Sequence, residues 1–325
     1  MIKTALKKLL FWQPYLEAFA LYKTQGILSM NCRNLDYIRK YNPRAKYPLV
    51  DDKILTKDLA DAAGIPTPQV YEVVEFPSQT RDFAERMKAY PEFVVKPAKG
   101  SGGGGIIVVS GRTNKGFRRP SGKVMGFDGM RYHLTNVMSG LYSLGGQTDK
   151  AIVQYRVHPD PFFNVLSTGG VPDIRLIVLL GVPVMGMLRL PTRESDGKAN
   201  LHSGGIGAGV NIATGQTTYG VYRNAPIEHH PDTQSVIAGH VIPQWDKMLE
   251  MASRFYDITG LGYIGVDIVL DRDQGPMILE VNARPGIAIQ VANQAGLRTR
   301  LQKVEAHIDT LNNVNEKVAF AKAHF

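Results

Sequence analysis

The chain has 325 residues, is 44% hydrophobic and 21% charged, and carries a net charge of +9. That is enough apolar material for one large domain or two to three subdomains. A single cysteine, Cys32, excludes an internal disulfide and suits a reducing compartment, and no apolar run approaches the roughly 18 residues of a membrane span.

The charge is uneven. Residues 1–50 hold nine basic side chains against two acidic ones. An acidic partner or an anionic surface is implied at that end, whereas nucleic acid is not expected, because no recognised binding motif accompanies the charge. The opening stretch "MIKTALKKLLFWQPYLEAFALY" is basic and then apolar. It lacks the long apolar core and small-residue cleavage site of a signal peptide. Two readings stand. One is an amphipathic helix, broken near Pro14, that packs on the rest of the protein. The other is a peripheral membrane or protein-docking helix, with Lys3, Lys7 and Lys8 beside Leu9, Leu10, Phe11 and Trp12. The expected location is cytoplasmic, the second reading adding the inner face of a membrane.

In chain order, the first 50 residues read as helices and an extended lead-in. Asp51 or Asp52 caps a helix from about Lys53 to Ala63, stopped by Gly64. A strand over 69–74 and a second helix over 79–90 follow. "EFVVKPAKGSGGGGIIVVSG" is strand, glycine-rich loop, strand. Residues 111–130 form an irregular hairpin, 132–144 a helix and 151–157 a strand. A hairpin with Gly181-Val182-Pro183 at its turn comes next, then a glycine-rich loop over 203–209. One or two helices lie within 230–260. "YIGVDIVLDRDQGPMILEVN" is a hairpin turning at 271–275. Residues 297–325 read as one terminal helix, with Leu301, Val304, Ile308 and Leu311 on a stripe. The expected class is α+β, dominated by antiparallel hairpins.

Chemistry concentrates in two elements. In "ILEVN", Glu280 and Asn282 share one face of a strand, and pairing across the turn brings Asp267 beside Glu280 or Asn282. Adjacent carboxylates repel. A divalent cation relieves that repulsion, and an all-oxygen donor set suits Mg²⁺. A pair of half-exposed acids on a sheet rim is the competing reading. In "VVKPAKGSGGGGIIVV", Lys96 ends an apolar strand before Gly100, Ser101, Gly102, Gly103, Gly104 and Gly105. Glycines let backbone N–H groups converge on an anion, and the lysine adds a cation for phosphate. A flexible hairpin tip is the plainer alternative. "GLGYIG" at 260–265 follows a helix and opens a strand, so it is no dinucleotide fingerprint. His229-His230 lacks a third ligand for zinc.

The order of these segments resembles the ATP-grasp superfamily of carboxylate–amine ligases. "DDKILTKDLADAAGIPTP", "FVVKPAKGSGGGGI", "DIR", "NLHSGG" and "GVDIVLDRDQGPMILEVNARPG" look like the matching segments of its alpha-L-glutamate ligase-like branch, related to the ligases that add glutamate to ribosomal protein. The resemblance implies an ATP-grasp fold: two α+β subdomains clamping ATP behind a shortened helical N-terminal segment. The divisions are 1–50, 51–156 with the glycine lid, 157–296 with the metal site, and a C-terminal helix over 297–325. It further implies that Lys53 and Lys96 hold the phosphates, with the loop Gly100–Gly105 as lid. Gln154, Tyr155, Arg156 and Val157 form the linker along adenine, and Asp160 binds ribose. Asp267, Glu280 and Asn282 bind two Mg²⁺, with Mn²⁺ as substitute, while Arg189 and Asn200 lie near the γ-phosphate and acyl-phosphate. Arg284 stands where the ribosomal-protein modifying members carry a small residue, and its guanidinium suits a substrate carboxylate. The family's usual N-terminal domain is longer than the segment before Asp51, implying substrate recognition that is rebuilt or supplied by a partner. The expected activity is amide formation through an acyl-phosphate, adding an acidic amino acid to an amino acid, peptide or protein. The rival from another class is a nucleotide-binding adaptor that docks a membrane or protein partner without turnover.

Overall fold

The computed structural model describes residues 22–325 except Ser101 and Thr168. The basic opening stretch expected to dock a membrane or partner lies outside the described residues, as does Ser101 of the glycine loop. Among the described residues all strand pairings are antiparallel, in three sheets.

A helical run over 30–41 leads in, with α-turns at Met30–Cys32 and Arg39–Tyr41 flanking a π-helical stretch at Arg33–Ile38. Helix α1 (Lys53–Ala62) begins where the Asp52 carboxylate accepts from the Ile54 N–H, and Gly64 closes it in the left-handed region at φ +64°. Strands β1 (Val70–Val74), β2 (Phe93–Pro97), β3 (Ile107–Val109) and β7 (Ala151–Gln154) make a four-stranded sheet in the order β1-β7-β2-β3. Between β3 and β7 the chain inserts a small sheet of β4 (Gly111–Thr113), β5 (Gly116–Arg118) and β6 (Val124–Gly126), and then helix α2 (Phe127–Met138). Their core is aromatic: Phe83, Phe93 and Phe117 meet edge to face over Met130, Leu134 and Val137.

The second half is a seven-stranded sheet in the order β12-β11-β10-β9-β8-β13-β14. Its strands are β8 (Asp173–Leu179), β9 (Val182–Leu190), β10 (Ile206–Val210), β11 (Thr217–Tyr222), β12 (Ala225–Ile227), β13 (Tyr263–Asp271) and β14 (Gly275–Asn282). Helix α3 (Trp245–Thr259) packs Met248, Leu249, Ala252 and Phe255 into its core. Helices α4 (Leu297–Glu305) and α5 (Val314–His324) follow. Val50, Ala60 and Ile65 bury into this larger core, so α1 packs with the second half of the chain. Backbone pairing of the Ile278 N–H with the Pro66 carbonyl, at 2.9 Å, stitches the two halves together.

Several expected elements differ. The segment expected as a helix over 79–90 is broken into turns at Pro77–Thr80, Phe83–Arg86 and Met87–Ala89. The Gln79 carboxamide accepts from the Glu75 and Phe76 N–H groups instead of facing a continuing helix. The hairpin of 111–130 is a three-stranded sheet, and the helix after it starts at Phe127 rather than Tyr132. The expected glycine loop at 203–209 is largely strand β10. Its glycines serve close packing: a Cβ on Gly209 would lie 2.4 Å from the Ala292 carbonyl oxygen. Only α3 fills 230–260. The terminal helix is two, because Asn313 starts a new one by accepting from the Glu316 N–H.

Candidate active site

Antiparallel register lays a row of charged side chains across the seven-stranded sheet. Asp267 on β13 lies opposite Glu280 on β14 and Arg175 on β8, and Asp173 lies opposite Arg189 on β9. Positions two apart share a face, so Asn282 joins Glu280 and Asp173 joins Arg175. Both oxygens of Asp267 accept from Arg175, at 2.6 Å from Nε and 2.5 Å from Nη2. Arg189 Nη2 lies 2.9 Å from Asp267, and its Nε donates to Asp173. Burial by itself raises the Asp267 pKa, but Arg175 and Arg189 outweigh it and hold the carboxyl below the ordinary value. Asp267 is therefore ionised at neutral pH.

Beside this network a cleft is lined by Lys53, Thr56, Lys96, Ile152, Gln154 and Glu280. The Asp52 cap fixes where α1 begins and so where Lys53 stands. Lys53 Nζ donates to the Gly100 carbonyl at 2.6 Å and lies 3.6 Å from Glu280. Lys96, on β2, is only 7% exposed. Burial first, and then the charge of Lys53, push its ammonium down to about 7, against an opposing pull from Glu280. Among the described residues the Lys96 ammonium has no hydrogen-bond or ion-pair partner. A buried cation in that state gains most from an anion brought by a ligand.

The glycine loop starts beside this cleft, where the Gly100 carbonyl accepts from Lys53, and is tied at both ends. At its start, the Asp149 carboxylate accepts from the Lys99 N–H at 3.0 Å and from Ser143 Oγ at 2.5 Å, and Gly100 bridges to Ser143. At its far end, His133 Nε2 lies 2.9 Å from the Gly105 carbonyl. Gly105 sits at φ +72°, where a Cβ would come within 2.6 Å of the Tyr142 ring, so glycine is required. At the tip, a Cβ on Gly103 would lie 3.8 Å from the Lys198 side chain.

Asp267, Glu280 and Asn282 offer side-chain oxygens, although both Asp267 oxygens already accept from Arg175 and the Asn282 amide nitrogen lies 3.5 Å from Asp267 Oδ2. Among the described residues no group of three or more His, Cys, Asp or Glu forms a metal cage. An incomplete, hard-oxygen set of this kind fits Mg²⁺ shared with phosphate oxygens.

Other residues expected at the site have side chains engaged elsewhere. Asp160 accepts from the Phe162 N–H as a helix cap, and Asn200 accepts from the His202 N–H. Both are short polar residues before a turn, a position that itself selects Asp and Asn. Tyr155 donates to Asp271, Arg156 pairs with Glu92, and Val157 is buried with Val269 and Met277, which leaves Gln154 as the linker side chain in the cleft. Arg284 pairs with Asp51 at 2.8 Å and stacks on Tyr47. Sequence reasoning quoted "DIR" as a matching segment but assigned no role to Asp173 or Arg175, an aspartate and an arginine two apart in an apolar run.

A family model described as sugar-transfer associated ATP-grasp matches residues 32–306. The chain belongs to that family. Its mixed helices and antiparallel sheets are accordingly the ATP-grasp fold. Two curated relatives of this ATP-grasp chain are each named "Probable alpha-L-glutamate ligase". One, from Maridesulfovibrio salexigens, is 31% identical over 122 residues, covering 38% of this chain and 29% of the relative. The other, from Xanthomonas axonopodis pv. citri, is 26% identical over 257 residues, covering 78% of this chain and 64% of the relative. The chain thus spans less than two thirds of the length of either. Among solved structures it is similar to a D-alanine–D-alanine ligase from Bacillus anthracis, with a TM-score of 0.43 and 16% identity over 86% of this chain and 69% of that one. No helix among the described residues is long and apolar enough to cross a membrane.

Proposed function

We propose that this ATP-grasp chain is an ATP-dependent carboxylate–amine ligase. A substrate carboxylate attacks the γ-phosphorus of ATP, the bond to ADP breaks, and an acyl-phosphate forms. An amine then attacks the acyl carbon and expels inorganic phosphate, leaving an amide. The observation that carries this reading is the meeting of Lys53, Lys96 and Glu280 in one cleft, with Asp267 paired across the hairpin from Glu280.

In this reading Lys53 and Lys96 hold the phosphates, and the ammonium of Lys96 gains the anionic partner that burial denies it. The Gly100–Gly105 loop covers the phosphates and excludes water, so the acyl-phosphate meets an amine rather than hydrolysing. Asp267, Glu280 and Asn282 hold Mg²⁺, or Mn²⁺ in its place, which supplies neutralisation of phosphate charge. Arg175 and Arg189 keep Asp267 ionised and aimed, and Arg189 is assigned to the charge of the transferring group. The four-stranded and seven-stranded sheets act as the two halves of the clamp, with α1, expected from sequence in the first half, packed on the second. An acidic amino acid, glutamate or aspartate, is joined to an amino acid, peptide or protein acceptor. The Arg284 guanidinium, released from Asp51, takes the second carboxylate.

The test is isotopic. Glutamate or aspartate and the candidate acceptor, each labelled with ¹⁸O in its carboxylates, are incubated with ATP and Mg²⁺. An acyl-phosphate route transfers one labelled oxygen to inorganic phosphate for each amide formed. Amide with unlabelled phosphate, or label that appears in AMP, would contradict it.

A further inference from the structure

The helical run over 30–41 ends at a residue the reaction scheme does not use. Asn42 is 2% exposed, and its carboxamide is fully engaged at the open end of the β13–β14 hairpin. Its Oδ1 accepts from the Tyr263 N–H at 2.8 Å, and its Nδ2 donates to the carbonyls of Tyr263 at 2.6 Å and Ala283 at 2.7 Å. Tyr263 begins the strand that carries Asp267, and Ala283 directly follows Asn282. The last paired residues of the ladder are Gly265 and Asn282, so the strands part just where Asn42 enters. The side chain acts as a cross-strand rung between them. Two further bonds hold the same junction: the Tyr41 carbonyl accepts from the Gly262 N–H at 2.9 Å, and Arg33 Nη1 donates to the Pro285 carbonyl at 2.9 Å.

We propose that Asn42, seconded by Arg33, is a positioning residue for the cation site: it fixes the separation of β13 and β14 at the open end of the hairpin, four residues from Asp267 and one from Asn282. The segment at 30–42 then supports the metal site as well as packing on the core. A buried amide that bonds two carbonyls and an N–H at once has a single orientation, and a change in strand spacing alters the reach of ligands on both strands together. The inference rests on the ligase reading for the identity of the cation and nucleotide.

The control is built into the fold. Gln290 is likewise buried and pins the same N-terminal segment, accepting from the Leu28 N–H at 2.8 Å and donating to the Leu28 carbonyl at 3.1 Å. None of its hydrogen-bond partners lies on β13 or β14. Binding of Mn²⁺ to the full chain, in the presence of a non-hydrolysable ATP analogue, is measured from the electron paramagnetic resonance of free Mn²⁺. Asn42→Ala is expected to raise the Mn²⁺ dissociation constant about three- to tenfold. Arg33→Met, which keeps the aliphatic stem, shifts it less in the same direction, and Gln290→Ala leaves it unchanged while lowering the melting temperature. Wild-type affinity in both Asn42→Ala and Arg33→Met, or an equal shift in Gln290→Ala, overturns the inference and leaves the ligase reading intact. If Asn42→Ala does not fold, Arg33→Met against Gln290→Ala decides it alone. Failure of the wild type itself to bind Mn²⁺ with nucleotide overturns the ligase reading, and the inference falls with it.

Discussion

Nucleotide affinity is expected to fall as pH rises above neutrality, through one group. Lys96 is pushed down to about 7 by burial and by Lys53. A phosphate beside it favours the charged form, so binding draws a proton onto the amine whenever the free protein has lost it. The sign follows. Below pH 7 the ammonium is charged before and after binding, and affinity is flat. Above it, the free protein must take up a proton to bind, and affinity drops up to about tenfold per pH unit. Between about pH 7 and 9 the protonated fraction falls from half to roughly one hundredth, so the dissociation constant rises about fiftyfold, or about 2.3 kcal/mol. Folding stability moves the other way. A base whose folded pKa is depressed binds fewer protons folded than unfolded between the two values, so the ligand-free protein gains stability from this group as pH rises from about 7 toward its ordinary 10.5. Isothermal titration calorimetry of an ATP analogue with excess Mg²⁺, at about pH 8 in two buffers of different protonation enthalpy, reads the proton directly. Uptake near one proton is expected for wild type and near zero for Lys96→Arg. A wild type with no proton uptake and a flat affinity profile would refute the placing of Lys96 against phosphate.

Removing Arg175 leaves buried Asp267 with one guanidinium instead of two. Arg175→Met is expected to cost about 3 kcal/mol, read as a lower urea midpoint at unchanged slope; a midpoint within error of wild type contradicts the network. Gly105→Ala forces a Cβ into the Tyr142 ring at a left-handed φ. A loss of about 1–3 kcal/mol is expected, with faster proteolytic nicking between Lys99 and Ile106; full stability and uncut loop contradict the tie at that end. Asp149→Asn removes the charge that accepts from Lys99 and Ser143 at the loop's other end. It is expected to raise the Michaelis constant for ATP about tenfold, and an unchanged constant would show that the loop needs no such anchor.

Local chemistry was legible in the sequence and long-range register was not. Glu280 and Asn282 could be read because they break an apolar strand at a spacing of two, and the turn at 271–275 fixes their partner strand. The structure pairs Asp267 with Glu280 as that hairpin implies. Lys96 was legible as a cation closing an apolar strand before glycines. The pairing of Arg175 was not, because it meets Asp267 across a separation of 92 residues, which "DIR" does not encode. The glycines of β10 were misread because glycine answers two demands, a bend and a close approach, and Gly207 and Gly209 answer the second. Asp160 and Asn200 each cap a short helical turn, a backbone role that an acid or amide there fills alongside any ligand.

The most direct test of the central claim is phosphate release from ATP and Mg²⁺ across a panel of single amino acids and short peptides, wild type against Glu280→Ala. The account predicts that an acidic amino acid paired with one or a few amines stimulates release, and that Glu280→Ala lowers it by about a hundredfold or more while remaining folded. Stimulated release that survives in Glu280→Ala would contradict the account, because the carboxylate paired across the hairpin from Asp267 would then have no part in the reaction.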